Sequence, residues 1–551
     1  MFKDQPKGLP VLFFTEMWER FGFYLMLGIF TLYMIDPKSN GGMGFGVLNA
    51  TDIYGTYIAL VYLTPFIGGL LADRILGYRV AITVGGVLMG LGYIGLAFSS
   101  EYMFYVSLLF IIVGNGFFKP NISTLVGNIY SDEKYRPYKD AGFNIFYMGI
   151  NIGAFACNFI AAYLRNNYGW GYAFFAAGIG MFIGLIWFWM GSKHIKHADV
   201  IKPTKPEDTP FSKIIATIFL PATIFGFIGW FIPQMLFGKA LIGSHSTDAF
   251  LFASIPVIYF YASLWMKAKS KEDKDSIGAL LAVFSVVIIF WAIFHQNGSA
   301  LTLWAERYTD RELPASVQGV SDVLKFTEVA SPNVQLITKV DLHGSTILDS
   351  SGKPIVEETV SPYFQNLPKE KWPKEGKSLK LLSTEIFQSI NPFFVVILTP
   401  VVVGFFGFLR RRKKEPSTPT KIGIGMLITA LSTTVMMLAV AASNNGAIKS
   451  SGMWLVMTYG IITAGELCLS PMGLALVSKL SPPRLTSLMM GGWFLSTSIG
   501  NKLSGVLSGI MVSIDNKLYL FLINFIGALF GAMLIFIILK WLKRVLTQYT
   551  K

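Results

Sequence analysis

Long apolar runs alternate with short charged tracts along most of this chain. A membrane-spanning helix needs about 20 predominantly apolar residues. Twelve such runs begin near residues 10, 51, 79, 102, 141, 170, 276, 385, 418, 451, 484 and 517. Two more, about 212–232 and 248–266, lie between the sixth and the seventh. The pattern predicts an all-α membrane protein: a six-helix bundle over 1–191, linkers and a transmembrane hairpin over 192–275, and a second six-helix bundle over 276–551. Two such halves around a central cavity form the plan of many secondary carriers. Residues 304–384 break the pattern. They are polar, with Val/Thr/Ile alternation near Val334–Val340 and turn signals at His343-Gly344 and Ser351-Gly352, and they read as a small, partly β external insertion.

Basic residues concentrate in cytoplasmic loops. One set of loops carries Arg74 with Arg79, Lys134 with Arg136 and Lys139, Lys193 with Lys196 and Lys202, Lys267 through Lys274, and Arg410 through Lys414. The alternate loops carry few. Both termini are therefore expected on the cytoplasmic side, and the hairpin crosses and returns. The N-terminus runs into the first span without a small-residue cleavage site, so no cleavable signal is expected.

Composition narrows the class. Charged residues make up 14% and hydrophobic residues 53%, where a soluble domain averages about 25% charged. The net charge of +14 sits in the short inter-span tracts, which speaks for membrane topology rather than nucleic acid. Cys157 and Cys468 lie within apolar runs and read as packing residues.

An ionisable side chain at mid-span costs about 2.5–3.5 kcal/mol on insertion scales, so it usually faces a cavity, a partner or a pathway. The first span carries Glu16, Glu19 and Arg20 at i, i+3 and i+4, one helical face, with Tyr24 one turn on. Two mutually repelling acids beside one guanidinium suit reversible proton binding; a structural ion-pair network is the plainer alternative. In the fourth span Lys119 precedes Pro120, which loosens the turn. It suits an anionic ligand group or a carboxylate partner, against a merely structural or snorkelling Lys. The tenth core span holds Glu466 and Ser470 before Pro471; Glu466 could hold an ammonium or a proton, or be a hydrogen-bonded structural acid. In the seventh, His295 can titrate near physiological pH or serve as a neutral hydrogen-bonding group, with Trp291 as a pocket wall. A positive first half facing a negative second half would match a zwitterion: an amino acid, a short peptide or a drug-like analogue. No nucleophile–base pair, metal-ligand set or phosphate-binding loop is visible, so no enzyme is expected.

These residues resemble a known family. Glu16 through Phe21 is similar to the E-x-x-E-R-F element of the proton-dependent oligopeptide transporters, within the major facilitator superfamily. Gly69 through Arg79 resembles the superfamily's loop signature, and Phe146 through Gly153 the family's F-Y-x-x-I-N-x-G pattern. Gln388 through Pro392 is similar to Q-x-x-N-P, and Met489 through Leu495 to M-M-G-x-W-F-L. The resemblance implies a major facilitator fold importing di- and tripeptides with protons across the cell (inner) membrane. The proton gradient would drive it, with no cofactor, metal or nucleic acid. Arg20 and Lys119 would receive the peptide carboxylate, and Glu466 and Asn391 its amine, with Gln388 and Ser470 alongside. Asn151 would bond the backbone, and Tyr24, Tyr62, Trp291 and Trp493 would line pockets. Glu16, Glu19, Arg20, Lys119 and His295 would take part in proton coupling, and Asp73 and Arg74 in the cytoplasmic gate. Other readings are a same-fold carrier of another solute (nitrate, an amino acid, a modified peptide) and a non-transporting peptide sensor. Two departures bear on mechanism. His295 stands where the family usually places a carboxylate salt-bridged across the halves, and Leu27 stands where a second basic residue often follows Arg20.

Overall fold

The computed structural model describes residues 2, 5–200, 211–314, 318–319, 321, 324–339, 347, 349, 355–374, 377–482 and 485–549. The first six helices are α1 (Gly8–Ile35), α2 (Val47–Leu71), α3 (Tyr78–Leu96), α4 (Glu101–Asn128), α5 (Lys139–Tyr168) and α6 (Trp170–Gly191). A hairpin follows: the short α7 (Phe211–Ile214), a π turn, α8 (Leu220–Phe237) and α9 (His245–Met266). Next come α10 (Lys271–Phe294), a 3-10 turn over His295–Gly298 and the short α11 (Ala300–Tyr308). The remainder is α12 (Ile390–Arg411), α13 (Thr418–Ala442), α14 (Met453–Leu480), α15 (Thr486–Ser513), α16 (Leu518–Ile537) and the amphipathic α17 (Leu539–Tyr549). Each of the fourteen expected runs becomes a helix.

Among the described residues, twelve helices are long and apolar enough to cross a bilayer, including both arms of the hairpin. Helices α1 and α15, 28 residues each, fall short of that apolarity. Their polar groups explain why, since Glu16, Glu19, Arg20, Asn501 and Lys502 lower the hydropathy and are all buried inside the protein.

Packing reveals a repeat that the residues themselves hide. Helix α1 packs on α5 and α6, α3 on α4 and α6, and α2 on α4. Taken in the same order, α10 packs on α15 and α16, α13 on α14 and α16, and α12 on α14. The two halves meet along reciprocal seams, α2 against α15 and α5 against α12. The first seam is backbone-close, since a β-carbon on Gly55 would lie 2.9 Å from the Cα of Gly505. Together these make two six-helix bundles of the major facilitator type, with the hairpin docked through α9 onto α10, α15 and α2.

The insertion is partly β, as its alternation predicts. Strand β1 (Thr309–Asp310) pairs parallel with β6 (Ser450–Ser451), while β2 (Thr327–Ala330) with β5 (Leu379–Leu382), and β3 (Gln335–Thr338) with β4 (Val356–Thr359), are antiparallel. Its small core is Ala330, Tyr363, Phe364, Leu367 and Leu381. The insertion begins later than its polarity suggests: Trp304 through Tyr308 continue α11, because the Trp304 ring is buried against Phe521 and Tyr308. The turn signals at His343-Gly344 and Ser351-Gly352 lie outside the described residues.

Candidate functional site

The charged face of α1 folds onto itself. The Arg20 guanidinium donates to both carboxylate oxygens of Glu19, through Nε and through NH2, the latter at 2.6 Å. Its Nε also lies 3.4 Å from a Glu16 oxygen, and NH2 reaches Asn115 Oδ1 on α4 at 3.5 Å. The i, i+4 spacing brings Glu16 to Arg20 and the adjacent Glu19 completes the clamp. The second Glu16 oxygen is buried without a hydrogen-bond partner among the described residues. The guanidinium carbon sits 4.7 Å from the Phe23 ring and 5.9 Å from that of Tyr24.

Phe23 and Tyr24 belong to the wall of a cavity of about 90 Å³ at the junction of the halves. Tyr24, Tyr62 and Asn158 line it from the first half. Trp291, His295, Gln388, Asn391 and Glu466 line it from the second. Lys119 stands behind Tyr62, its ammonium 4.2 Å from the ring centroid. On its other side Tyr62 meets His295 edge-on at 5.5 Å, and His295 lies 4.9 Å from Trp291. The Glu466 carboxylate accepts from Asn391 Nδ2 at 3.3 Å, and the same nitrogen bonds Thr463 at 2.8 Å. Two basic groups thus stand one aromatic ring behind one wall, and a carboxylate forms the opposite wall. A small zwitterion with separated ends matches this polarity.

The helix break that carries His295 is held by Gln388, whose amide donates to Asn297 O and Thr302 Oγ1, both at 2.6 Å. The other candidates lie elsewhere. Asn151 donates to Tyr147 O of its own helix at 2.9 Å and does not line the cavity. Trp493 packs within the second half against Phe284 and so tightly over Gly473 that a β-carbon there would overlap its ring. Ser470 lies one turn beyond Glu466 on α14. Asp73 and Arg74 sit in the π turn Ala72–Leu76 at the C-terminal end of α2, where Asp73 accepts from the Tyr78 hydroxyl at 2.6 Å.

The two seams between the halves are closed by contacts that sequence reading did not single out. Lys502 on α15, fully buried, lies 2.6 Å from Asp52 on α2 and donates to Thr56 and Ser246 at 2.7 and 2.8 Å. Asp52 also accepts from the hydroxyls of Ser244, Ser246 and Thr247 on the hairpin. Ser498 bonds Ala59 O across the same seam at 2.6 Å. On the opposite seam Asn158 bonds Ser389 at 3.1 Å, and Arg165 pairs with Glu385 at 3.0 Å and with Glu328 of the insertion at 3.1 Å. His295 forms no salt bridge among the described residues, and these pairs join the halves instead. The rule that exposed Glu466, that a charge inside a span needs a reason, applies equally to Asp52 and Lys502. Asn158 carried no such signal; its buried Oδ1 lacks a partner.

The chain matches the profile of the POT family over residues 79–321 and 378–528. It is 31% identical to the transporter YclF of Bacillus subtilis, over 97% of this chain and 94% of that one. It is 30% identical to a di-/tripeptide transporter of Lactococcus lactis subsp. lactis, over 97% and 96%. Among solved structures it resembles a peptide transporter POT in complex with sulfate, with TM-score 0.75, 29% identity and coverage of 99% and 96%. It also resembles a POT family transporter in complex with 5-aminolevulinic acid, with TM-score 0.76, 25% identity and coverage of 99% and 98%. With its paired six-helix halves, hairpin and central dipolar cavity, the chain belongs to the POT family of membrane transporters.

Proposed function

We propose that this chain is a proton-coupled symporter that imports di- and tripeptides by alternating access. One observation carries the reading: a cavity between the halves has Glu466 on one wall and, one ring behind the other, Arg20 and Lys119. Relatives named di-/tripeptide transporters support the substrate class. In the proposed cycle, protonation of the Glu16/Glu19 pair loosens its hold on Arg20, which then serves the substrate carboxylate together with Lys119. Glu466 and Asn391 hold the ammonium end. Release to the inside lets the proton leave and the α1 clamp re-form. The units 1–191 and 276–551 rock about the cavity, with Asp73 and Arg74 at the inner gate. The protein sits in the cell membrane with both termini cytoplasmic and uses the proton gradient in place of a cofactor; membrane potential adds about 2.3 kcal/mol per charge per 100 mV. The test is uptake of a labelled dipeptide into proteoliposomes under an imposed inward proton gradient. Accumulation above equilibrium is expected, and uptake indifferent to the gradient would refute coupling.

A second reading is favoured by the small cavity, about 90 Å³, and by the neighbour bound to 5-aminolevulinic acid: a single small zwitterion as the main solute. Competition by a dipeptide panel against 5-aminolevulinic acid separates the two.

A further inference from the structure

Helix α2 is flanked by two hollows where the hairpin leans on the body. The first, about 330 Å³, lies between the hairpin and the α2–α15 seam and is walled by side chains such as Leu63, Phe66, Phe219, Phe250 and Phe494. The second, about 600 Å³, lies between α2 and α4. Thr56, Leu60, Trp230 and Ser246 border both, so the two form one cleft.

The cleft changes character with depth. Lys38 follows the outer end of α1 and Glu101 begins α4 at its outer end, and with Asp52 these charges rim the second hollow. Beneath them the walls are Ile53, Tyr57, Leu108 and Ile112. An apolar cavity of about 150 Å³ stays dry and takes apolar ligands, and the first hollow is larger. The cleft runs along α2 and the hairpin arms, which are long and apolar enough to cross a bilayer, and Lys38 and Glu101 stand at helix ends, so an acyl chain matches the cleft and a headgroup its rim.

The rim selects among headgroups. Asp52 is already neutralised by Lys502 at 2.6 Å, which leaves exposed Glu101 and Lys38 as one acid and one base. A phosphate toward Lys38 and a primary ammonium toward Glu101 satisfy both. A glycerol headgroup leaves Glu101 facing a net negative lipid, and a choline offers no N–H to donate. We propose that this cleft holds one outer-leaflet phospholipid with a primary-amine headgroup, its chain wedged between the hairpin and the α2–α15 seam. The hairpin then acts as a lipid clamp placed against the contacts that close that seam.

The test is native mass spectrometry of the delipidated full chain titrated with dioleoyl phosphatidylethanolamine, phosphatidylcholine or phosphatidylglycerol. The first phosphatidylethanolamine adduct is expected at about fivefold lower concentration than the others. Ala253→Trp, which fills the first hollow, should weaken that adduct about tenfold. Glu101→Gln should erase the headgroup preference. Equal binding of the three lipids, a preference for phosphatidylglycerol, or unchanged binding in Ala253→Trp would overturn the proposal. If Ala253→Trp does not fold, Glu101→Gln decides, and a retained preference overturns it. The readout is independent of transport, so its failure leaves the peptide reading standing.

Discussion

Lys502 and Asp52, 450 positions apart in the chain, meet at 2.6 Å across the α2–α15 seam between the two halves. With Arg165 and Glu385 they join the halves by ion pairs, while His295 forms none among the described residues. Their surroundings are unusually polar for a span, since three hairpin hydroxyls and Thr56 complete the shell. Any parting of α2 from α15 must break this cluster.

Removing one partner of a buried pair leaves the other uncompensated, at a cost of about 3–5 kcal/mol, whereas replacing both is far milder. Lys502→Met alone should therefore lower the melting temperature strongly, and the Asp52→Asn/Lys502→Met double variant should recover most of the loss. The double variant should also favour the outward-open state, raising labelling of a Tyr54→Cys reporter by an impermeant thiol reagent. Unchanged labelling would mean that the pair is scaffolding and no latch.

Glu466 is expected to recognise the substrate ammonium. A charge-assisted hydrogen bond contributes about 1.5–3 kcal/mol, so Glu466→Gln should weaken competition by a free dipeptide about 10- to 100-fold. An N-acetylated dipeptide, which offers no ammonium, should lose little. Equal loss for both ligands would move Glu466 out of the amine site.

Much of this site was legible along the chain, and the reason is energetic. Arg20, Lys119 and Glu466 declared themselves because charge inside an apolar run is costly, and the i, i+4 spacing correctly brought Glu16 to Arg20. Lys502 escaped notice although the same rule applies, because α15 is rich in Gly and Ser and its charge reads as part of a generally polar segment. What no local pattern carries is direction: Asn151 and Trp493 lie on the right helices, yet one bonds its own helix and the other is pinned over Gly473. The packing repeat of the two halves was equally hidden, since it resides in which helices touch rather than in matched residues.

The Glu19–Arg20 clamp predicts a separation of binding from coupling. Glu19→Gln removes one anionic partner and leaves Arg20 more available, so counterflow exchange of dipeptide should persist while gradient-driven accumulation falls to equilibrium. Arg20→Lys cannot reproduce the paired contact with Glu19 and should impair both assays. If Glu19→Gln still concentrates dipeptide, the α1 pair does not carry the proton.

A titration outside the spans bears on the insertion. Lys449, in the loop before β6, donates to Arg307 O at 2.6 Å and stacks on Tyr363 of the insertion at 4.4 Å. Burial, with Arg311 nearby, pulls its ammonium down to about 7, while an unfolded Lys titrates near 10.4 (about the model-peptide value). Between those values the unfolded chain binds a proton that the folded insertion does not, so folding stability rises with pH across that window. Below about 7 both states are charged, and the penalty for holding the ammonium buried is felt in full. Hydrogen exchange of β2 and β5 should therefore slow, relative to the unfolded-chain rate at each pH, as pH rises from neutral into the alkaline range. In Lys449→Met that slope should flatten, since the group that exchanges the proton is gone. A slope identical in the variant would place the pH dependence elsewhere in the insertion.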